Sequence, residues 1–521
     1  MSYWSFYFLA KVGLYYTGYI GFHWLPNLLF ALALLWPLRP RGLRIARQVL
    51  AWPAGIALLY HDSFLPTPGR VLSQMQALAG FSLDYMLELL GRVFQWQIVL
   101  GFVVALVAYG VLSRRIRFST FALGGILSVP LVAALGPQAG LQAPAAVASA
   151  GEGNAGTAQA TSLDPNAQLQ NFYAQESTRK LAFTTGGTPP AFDIILLHVC
   201  SLAWDDMEYV GMRDHPLLQR FDAVFTQFNS AASYSGPASL RVLRGNCGQT
   251  PHKALYEGAD AGCYVFPSLE QLGYRTSALL NHDGVYEDFA KTLQTQGGLS
   301  GKFERNQDAP VHMHSFDGSP IYNDLALLSQ WWKGRQGRGG EPVALYYNTV
   351  SLHDGNRVPG MASRSSLDTY KPRLAQLLAD FDKFLTELEN TGRPVVVLLV
   401  PEHGAALRGD KIQISGMREI PGPRITLVPA AMKIVGARHL PPSGGPVRVD
   451  QPTSYFGLYA LLGDLLKDSP FGDAPRPLAE RLRRLESTGF ESENADVIVM
   501  RDASGKYLMK TGNGAWIPYT Y

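Results

Sequence analysis

Acidic side chains are nearly missing from the start of the chain: between Met1 and Pro137 only Asp62, Asp84 and Glu88 occur. The apolar runs between them approach the length of a bilayer's hydrocarbon core, which excludes an ordinary water-soluble domain there. A basic leader is also missing, and further hydrophobic segments follow the first, so a cleavable signal peptide does not fit. Strong net charge is absent as well. With 45 Lys and Arg against 42 Asp and Glu, the formal charge of +3 points neither to nucleic acid nor to a strongly acidic partner. From 137 to about 168 large apolar side chains almost disappear, and Ala, Gly, Gln, Ser and Thr cannot bury enough surface to fold. This segment reads as a tether with a root-mean-square span of roughly 30 Å.

What is present divides the 521 residues into three parts: a membrane domain over 1–136, the tether over 137–168, and a globular head over 169–521. Five transmembrane spans are expected, roughly at 3–19, 20–38, 46–65, 97–112 and 118–135. Arg39, Arg41, Arg44 and Arg47 follow the second span, and Arg114, Arg115 and Arg117 follow the fourth. Both loops are therefore expected in the cytoplasm, with the head across the membrane. In the outer loop, Val71, Leu72, Met75 and Leu78, then Tyr85, Met86, Leu89, Leu90 and Val93, recur at helical spacing. They fit a helix on the membrane surface or one packed on the spans.

The head alternates strand and helix signals without an internal repeat. Apolar runs at 191–199, 343–350 and 395–400 suit strands buried on both faces, as in a parallel sheet covered by helices. Leu374, Leu377, Leu378, Phe381, Phe384, Leu385 and Leu388 mark an amphipathic helix within 366–391, leading into the third run. The expected class is α/β, with chemistry gathered beyond the carboxyl ends of the strands. Those ends carry Cys200, His353, and Glu402 with His403. Ser235 precedes Gly236 and Pro237 at a helix start; it either caps that helix or places a hydroxyl where N–H groups and the helix dipole favour phosphate. Only three cysteines occur. Across the membrane thiols tend to pair, and Cys247 with Cys263 would close a loop worth about 3 kcal/mol. Cys200 is left as a buried apolar thiol or a zinc thiolate.

Taken together, the segments 199–204, 229–238, 247–250, 316–320, 347–356 and Pro401-Glu-His-Gly404 resemble the inner-membrane phosphoethanolamine transferases of the alkaline phosphatase superfamily. Within that group they are most similar to the cellulose phosphoethanolamine transferases. Ser at 235 and Cys at 200, where the lipid A branch has Thr and an acid, favour the cellulose branch; Glu402-His403 stands where Asp-His is usual. The resemblance implies an alkaline-phosphatase-like periplasmic domain and transfer of phosphoethanolamine from phosphatidylethanolamine to hydroxyls of nascent cellulose. It implies Ser235 as nucleophile, with zinc held by Cys200, Ser235, Glu402 and His403. It implies Tyr234 beside the nucleophile, His353 and Arg418 as pocket residues, a Cys247–Cys263 disulfide, and association with cellulose synthase subunits in the inner membrane. A sulfatase would place Arg two residues after Pro237, where Ser239 stands. A hydrolytic phosphodiesterase, a two-metal site using Asp317, His353 and Asp354, and a non-catalytic scaffold are the other readings.

Overall fold

The computed structural model describes residues 2–64, 80–93, 96–135, 164–187, 192–361, 363, 365–437, 445–512 and 514–521. Two compact units emerge, one of Met1–Val71, Leu89–Leu163 and Asp410–Ile414, the other of Leu72–Glu88, Asp164–Gly409 and Ser415–Tyr521.

The first unit is helical: α1 (Ser2–Tyr16), α2 (Trp24–Leu35) and α3 (Arg41–Asp62), the tail of α4 (Leu83–Val93), then α5 (Trp96–Leu112) and α6 (Phe118–Leu135). Trp4, Phe8, Val12, Ala31, Leu34, Ala51, Ala122 and Ile126 form its core. Lys11 reaches Asp62 at 2.6 Å and Asn27 at 2.9 Å, tying α1 to α2 and α3. α1, α2, α3, α5 and α6 overlap the five expected spans, and among the described residues no helix is long and apolar enough to cross a membrane. The chain breaks between α1 and α2, where Gly18 takes φ +82°, so the 12 residues of α2 rise only about 18 Å. The 22-residue α3 spends its first turns on Arg41, Arg44 and Arg47 and ends on Asp62.

The second unit is built on a seven-stranded sheet of β1 (Asp193–Val199), β2 (Ala223–Phe225), β3 (Arg275–Leu280), β4 (Val343–Thr349), β5 (Val395–Pro401), β6 (Ala431–Val435) and β7 (Val447–Val449). Their spatial order is β7-β2-β6-β5-β1-β4-β3. Only β6 runs against its neighbours, so the sheet is mixed but mostly parallel. The apolar runs behave as double-sided strands. Val396, Leu398 and Val400 enter one core, Val395, Val397 and Leu399 the other. Between β4 and β5 runs the long helix Tyr370–Thr391, which buries Leu374, Leu377, Leu378, Phe381, Phe384, Leu385 and Leu388. It stops at Gly392, whose φ of +64° is the left-handed conformation that suits a helix end.

β2, β3, β6 and β7 carry weaker sequence signals than β1, β4 and β5, too weak to mark them as strands in advance. The tether lies mostly outside the described residues; its last positions open the helix Pro165–Thr178, which is held to the head through Tyr173 and Glu493 at 2.6 Å. A four-stranded antiparallel sheet, Glu491–Glu493, Val497–Arg501, Tyr507–Thr511 and Ile517–Pro518, completes the unit.

Candidate active site

Register explains why distant residues meet. Val199, the last residue of β1, pairs with Thr349 on one side and Pro401 on the other, so the residues after all three strands emerge on one edge. There Cys200, Glu402 and His403 lie together, each fully buried, with one ligand atom apiece inside a 4.8 Å group. Just after Cys200 the chain turns at Ser201, whose φ of +61° costs a non-glycine residue about 1–3 kcal/mol. The Tyr370 hydroxyl, donating to the Ser201 carbonyl at 2.6 Å, holds that turn.

The helix Ser235–Leu243 brings the hydroxyl. Its N-cap is Tyr234, without a side-chain capping bond, so the capping role considered for Ser235 is not the one adopted. The Ser235 Oγ instead lies 3.4 Å from Cys200 Sγ and 3.4 Å from His403 Nε2, while Sγ and Nε2 are 4.0 Å apart. Ligands arranged tetrahedrally around zinc, at about 2.0–2.3 Å from it, stand about 3.3–3.7 Å from one another. Both Oγ separations fall in that range and the 4.0 Å Sγ–Nε2 pair lies just beyond it, so the donor set suits such an ion after a small closure. The Nδ1 of His403 donates to its neighbour's carbonyl, Gly404 O, at 2.9 Å, which directs Nε2 into the cluster. Glu402 Oε2 is buried with no hydrogen-bond partner, whereas Oε1 accepts from Asn348 Nδ2 at 2.6 Å.

Electrostatics point the same way. Burial, and then Glu402, push the Cys200 thiol up to about 12, and burial raises the Glu402 carboxyl. Burial holds the His403 imidazole well below its ordinary value. Burial thus favours the neutral thiol and carboxyl, and a cation bound between them would favour the deprotonated forms that ligate it.

Around this cluster the other expected residues take distinct places. Arg418 Nη1 lies 3.1 Å from Ser201 Oγ and 3.2 Å from His403 Nδ1, with its guanidinium over the Tyr234 ring. Tyr234 donates its hydroxyl to Glu419 at 2.5 Å, so it supports the arginine and does not point at Ser235. His353 sits on the loop after β4, its Nδ1 against the Asp354 carbonyl at 2.7 Å. Burial, then Arg418, lower it to about 4. Cys247 and Cys263 form a disulfide. Among the described residues Asp317, His353 and Asp354 do not come together as a ligand group; Asp354 is engaged by Ser366, Gly355 and Tyr85, and Asp317 by Ser319. Among the described residues one other His and carboxylate group comes together, His23, His61 and Asp62, where Lys11 already matches the carboxylate's charge.

Sequence reasoning missed Asn348, His198 and Asp206. Asn348 and His198 are polar residues inside strands buried on both faces, which was the available signal; His198 lies 3.5 Å from Glu402 Oε1. The Asp206 carboxylate accepts from the amides of Ala203, Ala405 and Leu407 at 3.2, 2.7 and 3.1 Å, bracing the turn after His403. Asn494 bonds Ser233 Oγ at 2.7 Å and the Glu419 carbonyl at 2.9 Å, so the small sheet braces both the nucleophile's approach and the Arg418 segment.

Residues 149–516 match the family model of the cellulose biosynthesis protein BcsG C-terminal domain, and residues 4–131 that of the BcsG N-terminal domain. The chain belongs to the BcsG family. It is 38% identical over 542 residues to the cellulose biosynthesis protein BcsG of Salmonella typhimurium, covering 100% of this chain and 96% of that one. The BcsG of Escherichia coli is likewise 38% identical, over 543 residues, with 100% and 96% covered. Among solved structures, a Vibrio parahaemolyticus protein of the alkaline phosphatase superfamily aligns at TM-score 0.49 and 15% identity, over 69% of this chain and 88% of that one. The integral membrane protein lipooligosaccharide phosphoethanolamine transferase A of Neisseria meningitidis aligns at 0.42 and 13%, over 88% and 94%. Every residue of the buried cluster and its hydroxyl lies inside the stretch matched to the BcsG C-terminal domain.

Proposed function

We propose that this protein transfers phosphoethanolamine from phosphatidylethanolamine to hydroxyls of nascent cellulose, through a phosphoethanolamine-serine intermediate on Ser235. The observation that carries the reading is the Ser235 Oγ at 3.4 Å from both Cys200 Sγ and His403 Nε2, beside the orphaned Glu402 Oε2. Membership of a cellulose biosynthesis family supports the acceptor.

Cys200, Glu402 and His403 would hold one zinc ion. Zinc bound there lowers the pKa of a coordinated hydroxyl and withdraws charge from a phosphoryl oxygen. Ser235, at the amino terminus of its helix, attacks the donor phosphorus in line, and diacylglycerol leaves with a proton. The helix amides favour the negative charge carried by the phosphoryl group. Arg418, beside the cluster, supplies fixed positive charge toward the same oxygens. His353, neutral at rest, takes the Ser235 proton and passes it to the first leaving oxygen; neutral again, it takes the proton of the sugar hydroxyl that displaces Ser235 and returns it to Oγ. Two displacements give ping-pong kinetics.

We also propose that the first unit anchors the enzyme at the inner membrane, beside its lipid donor and near cellulose synthase subunits, with the second unit in the periplasm. Leu25, Leu29, Leu32 and Trp36 around α2, and Leu100, Phe102, Val103, Val104 and Val107 on α5, are exposed, an apolar surface that supports lipid contact. The disulfide supports an oxidising compartment.

The test is intact mass spectrometry of the full chain in detergent with zinc and phosphatidylethanolamine, with Ser235→Ala alongside. A phosphoethanolamine adduct on the native chain alone is expected. An adduct on Ser235→Ala refutes the nucleophile, and donor consumed without any adduct or modified glucan favours hydrolysis.

A further inference from the structure

We propose that Tyr85 and Glu88, from the segment between α3 and α5, are positioning residues for His353, so that transfer depends on side chains far outside the 164–521 stretch. The inference rests on the acid-base role given to His353 above. Both residues fold into the second unit: Tyr85 is 6% and Glu88 8% exposed.

The contacts converge on one loop. The Ser82 amide donates to the Phe316 carbonyl at 2.9 Å, and the Phe81 and Tyr85 rings pack 5.0 and 5.8 Å from the Phe316 ring. Phe316 in turn lies 5.2 Å from the imidazole of His353, with the rings tilted by 35°. Tyr85 donates its hydroxyl to Asp354 Oδ2 at 3.1 Å. Its ring comes so close to the backbone that a Cβ on Gly355, already at φ +84°, would meet it at 3.0 Å.

Glu88 grips the same loop at both ends. Its carboxylate accepts from Arg357 at 2.5 Å, from Ser365 Oγ at 2.7 Å and from the Ser366 amide at 2.8 Å. Ser366 Oγ then donates to Asp354 Oδ1 at 2.5 Å. Asp354 is the residue whose carbonyl receives His353 Nδ1 at 2.7 Å, which sets the ring's rotation and leaves Nε2 for a proton. The line of bonds therefore runs from Glu88 through Ser366 to Asp354 and ends on the catalytic imidazole. A displacement of about 1 Å at such a group is enough to cost on the order of a hundredfold in rate.

The experiment uses the full chain in detergent, with phosphatidylethanolamine in mixed micelles and a cello-oligosaccharide acceptor. Turnover, donor KM, zinc content and thermal midpoint are measured for Glu88→Ala, Tyr85→Phe, His353→Gln, the Glu88→Ala/His353→Gln double variant and the Glu88→Arg/Arg357→Glu exchange. Glu88→Ala is expected to lose about tenfold or more in kcat, with donor KM and zinc unchanged and the protein folded at the assay temperature. Combined with His353→Gln it adds no further loss, and the charge exchange restores part of the rate. Normal turnover in Glu88→Ala while His353→Gln is impaired, or losses that multiply in the double variant, overturns the positioning role alone. Normal turnover in His353→Gln overturns the role of His353, and the proposal with it.

Discussion

Asn348→Ala gives the sharpest test of the metal centre, because Asn348 is not a ligand. Its Nδ2 donates to Glu402 Oε1 at 2.6 Å, leaving Oε2 as the carboxylate oxygen free for a cation. In a fully buried setting that bond orients the carboxylate and offsets part of the cost of its charge. A hydrogen bond to a charged group contributes about 1.5–3 kcal/mol. Removing a partner behind a metal ligand costs about 10–100-fold in metal affinity, which is about 1.4–2.7 kcal/mol. The two routes agree. Asn348→Ala is therefore expected to weaken zinc binding by about 10–100-fold, read by competition with a chromophoric chelator, while turnover at saturating zinc recovers to within a few-fold. Asn348 also sits 3.0 Å from His282 Nε2, so the thermal midpoint of the zinc-free protein is measured in parallel to separate lost packing from lost coordination. Unchanged zinc affinity in a folded variant would refute Glu402 as a ligand held in place by Asn348.

Three further outcomes are expected. Cys200→Ala loses zinc and turnover together; stoichiometric metal in that variant, measured by atomic emission, sinks the ligand set. Cys247→Ala, which opens the 247–263 disulfide, lowers the thermal midpoint by an amount corresponding to about 3 kcal/mol while leaving zinc content intact, and an unchanged midpoint contradicts it. Burial and Arg418 hold His353 at about 4, so its neutral form persists well below the ordinary histidine range, and protonation removes the base only as pH falls through about 4. Discharge of a preformed Ser235 adduct to the acceptor should thus stay level from pH 7 down to about pH 5 and fall below that. An acid limb near pH 6.5 would show the wrong base.

By itself the sequence determined the parts that depend on local pattern. Unbroken apolar runs at β1, β4 and β5 announced strands covered on both faces, and parallel strands in register present their succeeding residues on one edge. Cys200, His353, Glu402 and His403 could be placed beyond strand ends for that reason alone. The amphipathic helix before β5 was legible from its leucines and phenylalanines, and the disulfide from the scarcity of cysteine. Ser235 was legible as a hydroxyl at a helix start; resemblance made it the nucleophile and added Tyr234 and Arg418, but not their orientations. Only the tertiary structure showed that Ser235 turns its hydroxyl to Cys200 and His403 and not to its own helix, and that Tyr234 turns away to Glu419. It also showed that Asn348 braces Glu402 and that Glu88 reaches across 269 residues to Arg357. Helix and strand periodicity records which face of an element is buried, over a few residues at a time. It carries no term for which distant side chain fills the space opposite, and hydrogen bonds between elements are decided by that packing.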